Sequence, residues 1–312
     1  MTFVPITYKG GVYQLNEIID YIEDMGGFIV QRHNIASEVV LQILMPEEDI
    51  EALKTFSRPL AGEVTESPLV GTEIAVVIPS PEIHHLPHSA CDVAEYLRAH
   101  GSKSNMLGMA RGFGRRIAQI NDEERDLINE HDLVIFVLGN FASCIGTKFP
   151  KLRQGIKVPI ILTGGVDRDT LKAVTDPPVE GYVGNLGRFM HRTQTEEDIA
   201  RLDSVIEEVE RVVAERRKEL STDPLSVSPA RLQALLMQEI PEIEDILAPC
   251  PVAVQLTGLR IKLPYEEYAE KIRNIVIEDD VKIGDVAEVR KSRMRNYILI
   301  RILPLSETNI VV

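Results

Sequence analysis

The chain has 312 residues, 44% hydrophobic and 26% charged, a composition suited to packed cores rather than to disorder. Single cores stop growing at roughly 250 to 300 residues, so two or three units are expected. Lys and Arg number 34 against 48 Asp and Glu, a net charge of −14, and a body this acidic repels phosphate backbones and sets nucleic-acid binding aside. No apolar run reaches the roughly 18 residues of a membrane span, and the start MTFVPITYKGG has no basic stretch followed by an apolar one. A soluble, cytosolic chain that does not enter membranes is therefore expected. Three cysteines, an odd number, argue against a disulfide framework and leave buried thiols, metal ligands or redox groups.

Residues 1–68 read as a small ferredoxin-like α+β domain. Leu15, Ile18, Ile19, Ile22 and Met25 line one face of a helix that Gly26-Gly27 stops. FIVQRH and SEVVLQIL are strand candidates, and Pro46 is read as opening a second helix through EEDIEALKTF. Residues 69–220 read as an α/β domain. EIAVVIP, NMLGM, LVIFVLG, VPIILTGG and EGYVGN are short apolar runs separated by helical stretches, the pattern of a doubly wound parallel sheet buried on both faces. A long helix from Thr195 to Leu220 closes this domain, with a stripe of Ile199, Leu202, Ile206, Val209 and Val213 and with Thr195 as its N-cap. STDPLSVSPA reads as a Ser/Pro-rich linker. Residues 221–312 then form a C-terminal α+β docking domain, with a helix from about Pro229 that ends before Pro241. A strand pair in PVAVQLTGLRIKLP, a helix in PYEEYAEKIR and a strand in NYILIRILP follow.

Ligands of doubly wound sheets sit outside the carboxyl ends of the strands, near the point where strand order reverses. The unusual loops all follow strands: IPSPEIHHLPHSAC the first, GMARGFGRR the second, GNFASCIG the third, TGGVD the fourth and GNLGR the fifth. Residues far apart in sequence thus converge on one rim.

In HHLPHSACD, Cys91 falls in the first turn of a helix, where the positive dipole end and open N–H groups favour a metal-binding thiolate. His85 and His88 are the imidazole candidates beside it. The competing reading has Ser89 or His88 capping the helix, Cys91 packed as a small hydrophobe and the histidines solvated. The spacing matches neither the paired cysteines of structural zinc sites nor ferredoxin cysteine runs. Cys144 stands just past LVIFVLG, a second ligand candidate or a buried inert thiol, and Cys250, between two prolines, is read as structural. GMARGFGRR offers Arg111, Gly112, Gly114, Arg115 and Arg116 to an anion such as a phosphate or the sulfide face of a cluster; otherwise the glycines turn the chain and the arginines pair with NDEERD. No Walker motif, dinucleotide fingerprint, nucleophile elbow or H-E-x-x-H helix is present.

YKGGVYQLNEIIDYIEDMGG, HHLPHSACD, GMARGFGRR, LGNFASC and RIKLPYEEYAE together resemble methanogenesis marker protein seven along essentially the whole chain. The central α/β stretch is similar to methyl-coenzyme M reductase operon protein C, which shares the histidine six residues before a cysteine (His85 and Cys91) and the glycine-rich loop at Arg111–Gly114. That relative carries a histidine in place of Cys144. The resemblance implies a non-enzymatic subunit of the ATP-dependent complex that reductively activates the nickel tetrapyrrole of methyl-coenzyme M reductase. It also implies, as partners, operon protein C, other methanogenesis marker proteins and a separate ABC-type ATPase. The cofactor it implies is a complex iron–sulfur cluster, similar to a nitrogenase cofactor precursor and open to sharing with a partner subunit. Cys91, Cys144 and His85 are then its metal ligands, with His88, Arg111, Gly112 and Gly114 at the same cofactor site. Two rivals stand beside this expectation: an assembly protein without cofactor, and an enzyme binding zinc or a phosphorylated molecule at the same rim.

Overall fold

The computed structural model describes residues 3–35, 37–78, 89–109, 120–186, 195–248 and 250–312. It is a mixed α/β structure with one parallel sheet of five strands and antiparallel sheets beside it in sequence. The chain divides into two compact units, one made of residues 1–72 and 217–312 and the other of residues 73–216.

The N-terminal stretch runs β1 (Phe3–Gly11), α1 (Leu15–Asp24), β2 (Phe28–Ile35), β3 (Glu38–Pro46), α2 (Ile50–Ser57) and β4 (Glu63–Glu66). The strands lie in the order β2-β3-β1-β4, every neighbour antiparallel, which is the split arrangement of a ferredoxin-like sheet. Leu15, Ile18 and Ile22 of α1 pack on Ile6, Leu41 and Ile43 of the sheet, as the helical spacing requires. The chain leaves α1 through Gly26, whose φ of +73° is the left-handed exit that favours glycine. Pro46 stands at the N-cap of the helical stretch, one place before its first turn rather than within it. It closes β3 opposite Phe3 with ψ 133°, and a 3-10 turn at Glu47–Asp49 precedes α2.

In residues 73–216 the order is β5 (Glu73–Ile78), α3 (Ser89–Ala99), β6 (Lys103–Gly108), α4 (Asp122–Ile128), β7 (Leu133–Val137), α5 (Ala142–Leu152), β8 (Ile160–Thr163), α6 (Arg168–Lys172) and β9 (Gly181–Val183), with α7 (Glu196–Thr222) running out of the unit. All four strand pairs are parallel and the sheet order is β6-β5-β7-β8-β9. Every residue of β5, β7, β8 and β9 is buried, which is why these strands read as continuous apolar runs. Thr195 and Asp198 cap α7 reciprocally: the Thr195 N–H donates to Asp198 Oδ2 at 3.0 Å and the Asp198 N–H to Thr195 Oγ1 at 3.2 Å. The buried stripe of α7 is Leu202, Val205, Ile206, Val209, Val212 and Val213, whereas Ile199, one turn from the cap, is 40% exposed.

The Ser/Pro-rich stretch after α7 is not loose. Ser226 donates through its backbone N–H to Leu303 O at 3.0 Å, and Leu225 bridges Pro304. The elements that follow are α8 (Pro229–Glu239), β10 (Val252–Gln255), β11 (Gly258–Ile261), α9 (Tyr265–Asn274), β12 (Val276–Glu278), β13 (Val281–Lys282), α10 (Ile283–Val286), β14 (Ala287–Lys291), β15 (Ile298–Ile302) and α11 (Leu305–Thr308). Four of these strands form an antiparallel sheet, β10-β11-β15-β14. Cys250, just before β10, is buried and its thiol donates to Val252 O at 3.0 Å. No helix among the described residues is long and apolar enough to cross a membrane.

Candidate functional site

The site is built by the topology of the parallel sheet. From β5 the chain crosses to β6 on one side, and from β7 to β8 on the other, so strand order reverses between β5 and β7. These two strands are direct parallel neighbours, paired from Ile74–Leu133 to Val77–Phe136, and their carboxyl ends face the same rim. Cys91 is the third residue of α3, the helix after β5. Cys144 is the third residue of α5, the helix after β7. The two cysteines therefore hold matching places in the helices that leave the two strands flanking the reversal.

On α3 the apolar face, Ala90, Val93, Ala94 and Leu97, is buried, while Cys91 is a free and exposed thiol. Packing thus takes its neighbours and leaves the cysteine outward in the first turn, where open N–H groups point toward an approaching anion. The Tyr96 hydroxyl donates to Asp203 Oδ1 of α7 at 2.5 Å and ties the helix down. Helix α5 starts at Ala142 with no side-chain cap on Phe141, whose ring is 73% exposed, and buries Ile145, Phe149 and Leu152.

The glycines of TGGVD and GNLGR are taken up by loop packing. A Cβ at Gly165 would stand 2.2 Å from Asn140 Oδ1, and one at Gly184 would stand 2.6 Å from Val166 O. The Leu138 N–H donates to Thr163 O and the Leu186 N–H to Gly164 O, each at 2.9 Å, so the three rim loops after β7, β8 and β9 lock edge to edge. Asp167 caps α6, accepting from the Thr170 hydroxyl at 2.6 Å and its N–H at 2.8 Å; these bonds hold its carboxyl below the usual carboxylate range. Tyr182 donates to Val166 O at 2.5 Å, and burial pushes its hydroxyl up to about 12.

A family model described as methyl-coenzyme M reductase operon protein C matches residues 3–275. The chain belongs to the methyl-coenzyme M reductase operon protein C family. The match runs past the central α/β stretch on both sides and takes in the N-terminal sheet and α8 to α9. A Methanocaldococcus jannaschii protein, carried under the name uncharacterized protein, is 44% identical over 302 residues, covering 97% of this chain and 94% of that one. Among solved structures, glutamyl-tRNA reductase from Methanopyrus kandleri aligns over 77% of this chain and 85% of that one at 12% identity with a TM-score of 0.20. The GsuK channel aligns over 70% of this chain and 38% of that one at 13% identity with a TM-score of 0.24. Likenesses this low carry no argument about fold or function. The family itself is linked to the methyl-coenzyme M reductase operon of methanogens.

Set on this operon protein C fold, the sequence candidates divide into two groups. Cys91 and Cys144, 53 positions apart, stand in the first turns of the helices that follow β5 and β7. His85, His88, Arg111, Gly112, Gly114, Arg115 and Arg116 lie outside the described residues. Among the described residues no group of three or more His, Cys, Asp or Glu side chains is placed to hold a metal ion. The Cys91 thiol is exposed, unbridged and in a first helical turn.

Sequence reasoning missed a buried polar network at the opposite, amino ends of the strands. Glu73, His131 and Asp132 are all at least 92% buried. Asn105 Nδ2 donates to Glu73 Oε1 at 2.6 Å and lies 3.0 Å from His131 Nε2, while His131 Nδ1 is 2.9 Å from Leu127 O. An amide nitrogen can only donate, so Nε2 accepts and His131 carries its proton on Nδ1. The signal was the run of charge in EHD directly before the apolar strand LVIFV.

Proposed function

We propose that this chain is an electron-transfer and scaffold subunit of the ATP-dependent machinery that reductively activates the nickel cofactor of methyl-coenzyme M reductase. The observation that carries the reading is the matched placement of Cys91 and Cys144 on α3 and α5, either side of the strand-order reversal. Two thiolates from one rim suit a complex iron–sulfur cluster, whose inorganic sulfide satisfies most iron valences and leaves few positions for protein ligands. His85, then His88, would supply imidazole, and Arg111, Arg115 and Arg116, with the backbone N–H groups of Gly112 and Gly114, would balance the cluster's negative charge. Such a cluster accepts and passes on single electrons; the chain's own part is to hold it, set its electrostatic surroundings and present it to a partner. The cluster would be open to sharing with operon protein C or another methanogenesis marker protein, each supplying part of the donor set. ATP hydrolysis belongs in this reading to a separate ABC-type ATPase, since the chain has no Walker motif.

The test is iron, acid-labile sulfide and zinc in the native complex purified without oxygen, beside its Cys91→Ala and Cys144→Ala variants. Joint loss of iron and sulfide in either variant is expected. Iron and sulfide unchanged in both, with partners still bound, would make the chain an assembly protein whose thiols are structural. Zinc without sulfide would select the zinc enzyme reading.

A further inference from the structure

A cavity of about 720 Å³ lies within the 73–216 unit, at the edge strand β9 rather than at the β5–β7 reversal. Three elements line it. The end of β9 and the turn after it contribute Asn185, α6 contributes its first residue, Arg168, and α7 contributes Glu197, Arg201 and Glu208 from successive turns. The volume is in the range of small-molecule sites, about 300–1,000 Å³, and the position, outside a strand's carboxyl end, is where open α/β sheets take their ligands.

The charges of this lining are not equivalent. Glu208 accepts from Arg211 Nε and Nη2, each at 2.9 Å, and Glu197 accepts from Arg201, so each carboxylate already has a cation. Arg168 is exposed, and its guanidinium makes no hydrogen bond or ion pair with any described residue. Arg201 stands 3.7 Å from Asp198 and keeps N–H donors beyond the one it gives Glu197. The terminal oxygens of a phosphate can take donors from two guanidiniums at once, whereas a single fork already occupies both oxygens of a carboxylate. A carboxylate has about four lone-pair sites, so Glu197 and Glu208 can still accept from hydroxyls, as an acidic residue holds a ribose in dinucleotide sites. The Asn185 carboxamide, also without a partner among the described residues, adds a donor and an acceptor. Tyr182, the described aromatic of the lining, is 9% exposed and spends its hydroxyl on Val166 O, which leaves no ring for a base to stack on. We propose that this cavity binds a small sugar phosphate, with Arg168 and Arg201 on the phosphate and Glu197, Glu208 and Asn185 on the hydroxyls. The inference is independent of the cluster reading, since neither Cys91 nor Cys144 takes part.

Equilibrium dialysis of the full chain against radiolabelled ribose 5-phosphate tests it. The wild type should bind with a Kd of about 1 mM or below, and unlabelled ribose or inorganic phosphate should each compete at least about tenfold more weakly. Arg168→Gln removes the open guanidinium and should raise the Kd at least about tenfold, the loss of charge-assisted hydrogen bonds. Ala200→Trp fills the cavity from α7 and should abolish binding. Both positions are exposed, so both variants should keep the wild-type circular dichroism and Tm. Arg153→Gln, which removes an exposed arginine outside the lining, should bind as the wild type does. A wild-type Kd above about 1 mM, unchanged binding by Arg168→Gln or Ala200→Trp, or an equal loss in Arg153→Gln would each overturn the proposal. Inorganic phosphate competing as well as the sugar phosphate would show an anion held without its hydroxyls and overturn it equally.

Discussion

The Tyr96 hydroxyl and the Asp203 carboxylate meet at 2.5 Å, one short bond tying the helix whose first turn carries Cys91 to α7. The bond to Asp203, with burial behind it, pushes the Tyr96 hydroxyl up from 10.0 to about 12. A folded-state value above the unfolded one means that this stability is fully present below about pH 10 and is lost as the pH rises through about 12. Tyr96→Phe should cost about 1 kcal/mol near neutral pH by leaving Asp203 without its donor. It should also remove the alkaline part of the stability curve that belongs to this pair. Urea unfolding of both proteins at about pH 8 and about pH 11 checks this; a deficit as large at the higher pH as at the lower would contradict the assignment.

The thiols differ in access, and access controls reaction with an alkylating reagent. Cys91 is exposed, while Cys250 is 8% exposed and donates to Val252 O. In the native chain Cys91 should be carbamidomethylated by iodoacetamide at least about a hundredfold faster than Cys250, which waits for local opening. Peptide mass mapping reads each cysteine separately. If the chain holds the proposed cluster, Cys91 in the native complex should be shielded until iron is chelated. Equal rates at Cys91 and Cys250 in the free chain would show that residues around 250 are not packed as described.

How much of this was legible in the sequence depends on the range of the forces involved. The central strands β5 and β7 stood out because burial on both faces leaves no polar residue in Ile74–Ile78 or in LVIFV. Alternation of those strands with helices was enough to put Cys91 and Cys144 at one edge. Pro46 was placed one position too far into the helix, because Pro suits the end of a strand as well as a first helical turn, and its pairing with Phe3 puts it at the cap. Ile199 matched the helical spacing but lies on the side of the first turn of α7 that stays 40% exposed, while its neighbour Asp198 is buried. Residues 223–228 have a linker's composition, yet Leu303 and Pro304, nearly 80 positions later, bind them. The His131 network likewise needs Asn105 from a different strand, a juxtaposition that no local pattern announces.

Tyr8 in β1 makes a prediction against intuition. It is fully buried, its hydroxyl has no hydrogen-bond partner among the described residues, and burial raises its pKa. An unpaired buried hydroxyl is a cost, so Tyr8→Phe should leave the protein unchanged or more stable by about 1 kcal/mol. The ring lies between two glycines: a Cβ at Gly62 would stand 2.3 Å from Tyr8 Cε2, and one at Gly10 2.2 Å from its hydroxyl oxygen. Gly62→Ala should therefore cost about 2–3 kcal/mol through overpacking. Combined with Tyr8→Leu it should cost less than the sum of the two single changes, because the smaller side chain frees the space. Thermal unfolding of the four proteins gives the coupling directly, and strict additivity would place the two residues out of contact.

Arg217 stands where the chain returns to the unit it left at Thr72. Its guanidinium donates through Nη1 to Pro68 O at 2.5 Å and through Nη2 to Val70 O at 2.9 Å, which pins the leaving and returning stretches side by side. Two charge-assisted bonds from one rigid fork should be worth about 2–3 kcal/mol, lost in Arg217→Ala. Arg217→Lys keeps the charge but has a single ammonium and no planar fork to span two carbonyls, so it should recover less than half of that loss. Urea midpoints rank the three proteins, and limited proteolysis should cut the 67–72 segment faster in both variants. If lysine restored the full midpoint, charge alone would account for Arg217; if it does not, the fork is what holds the two crossings together.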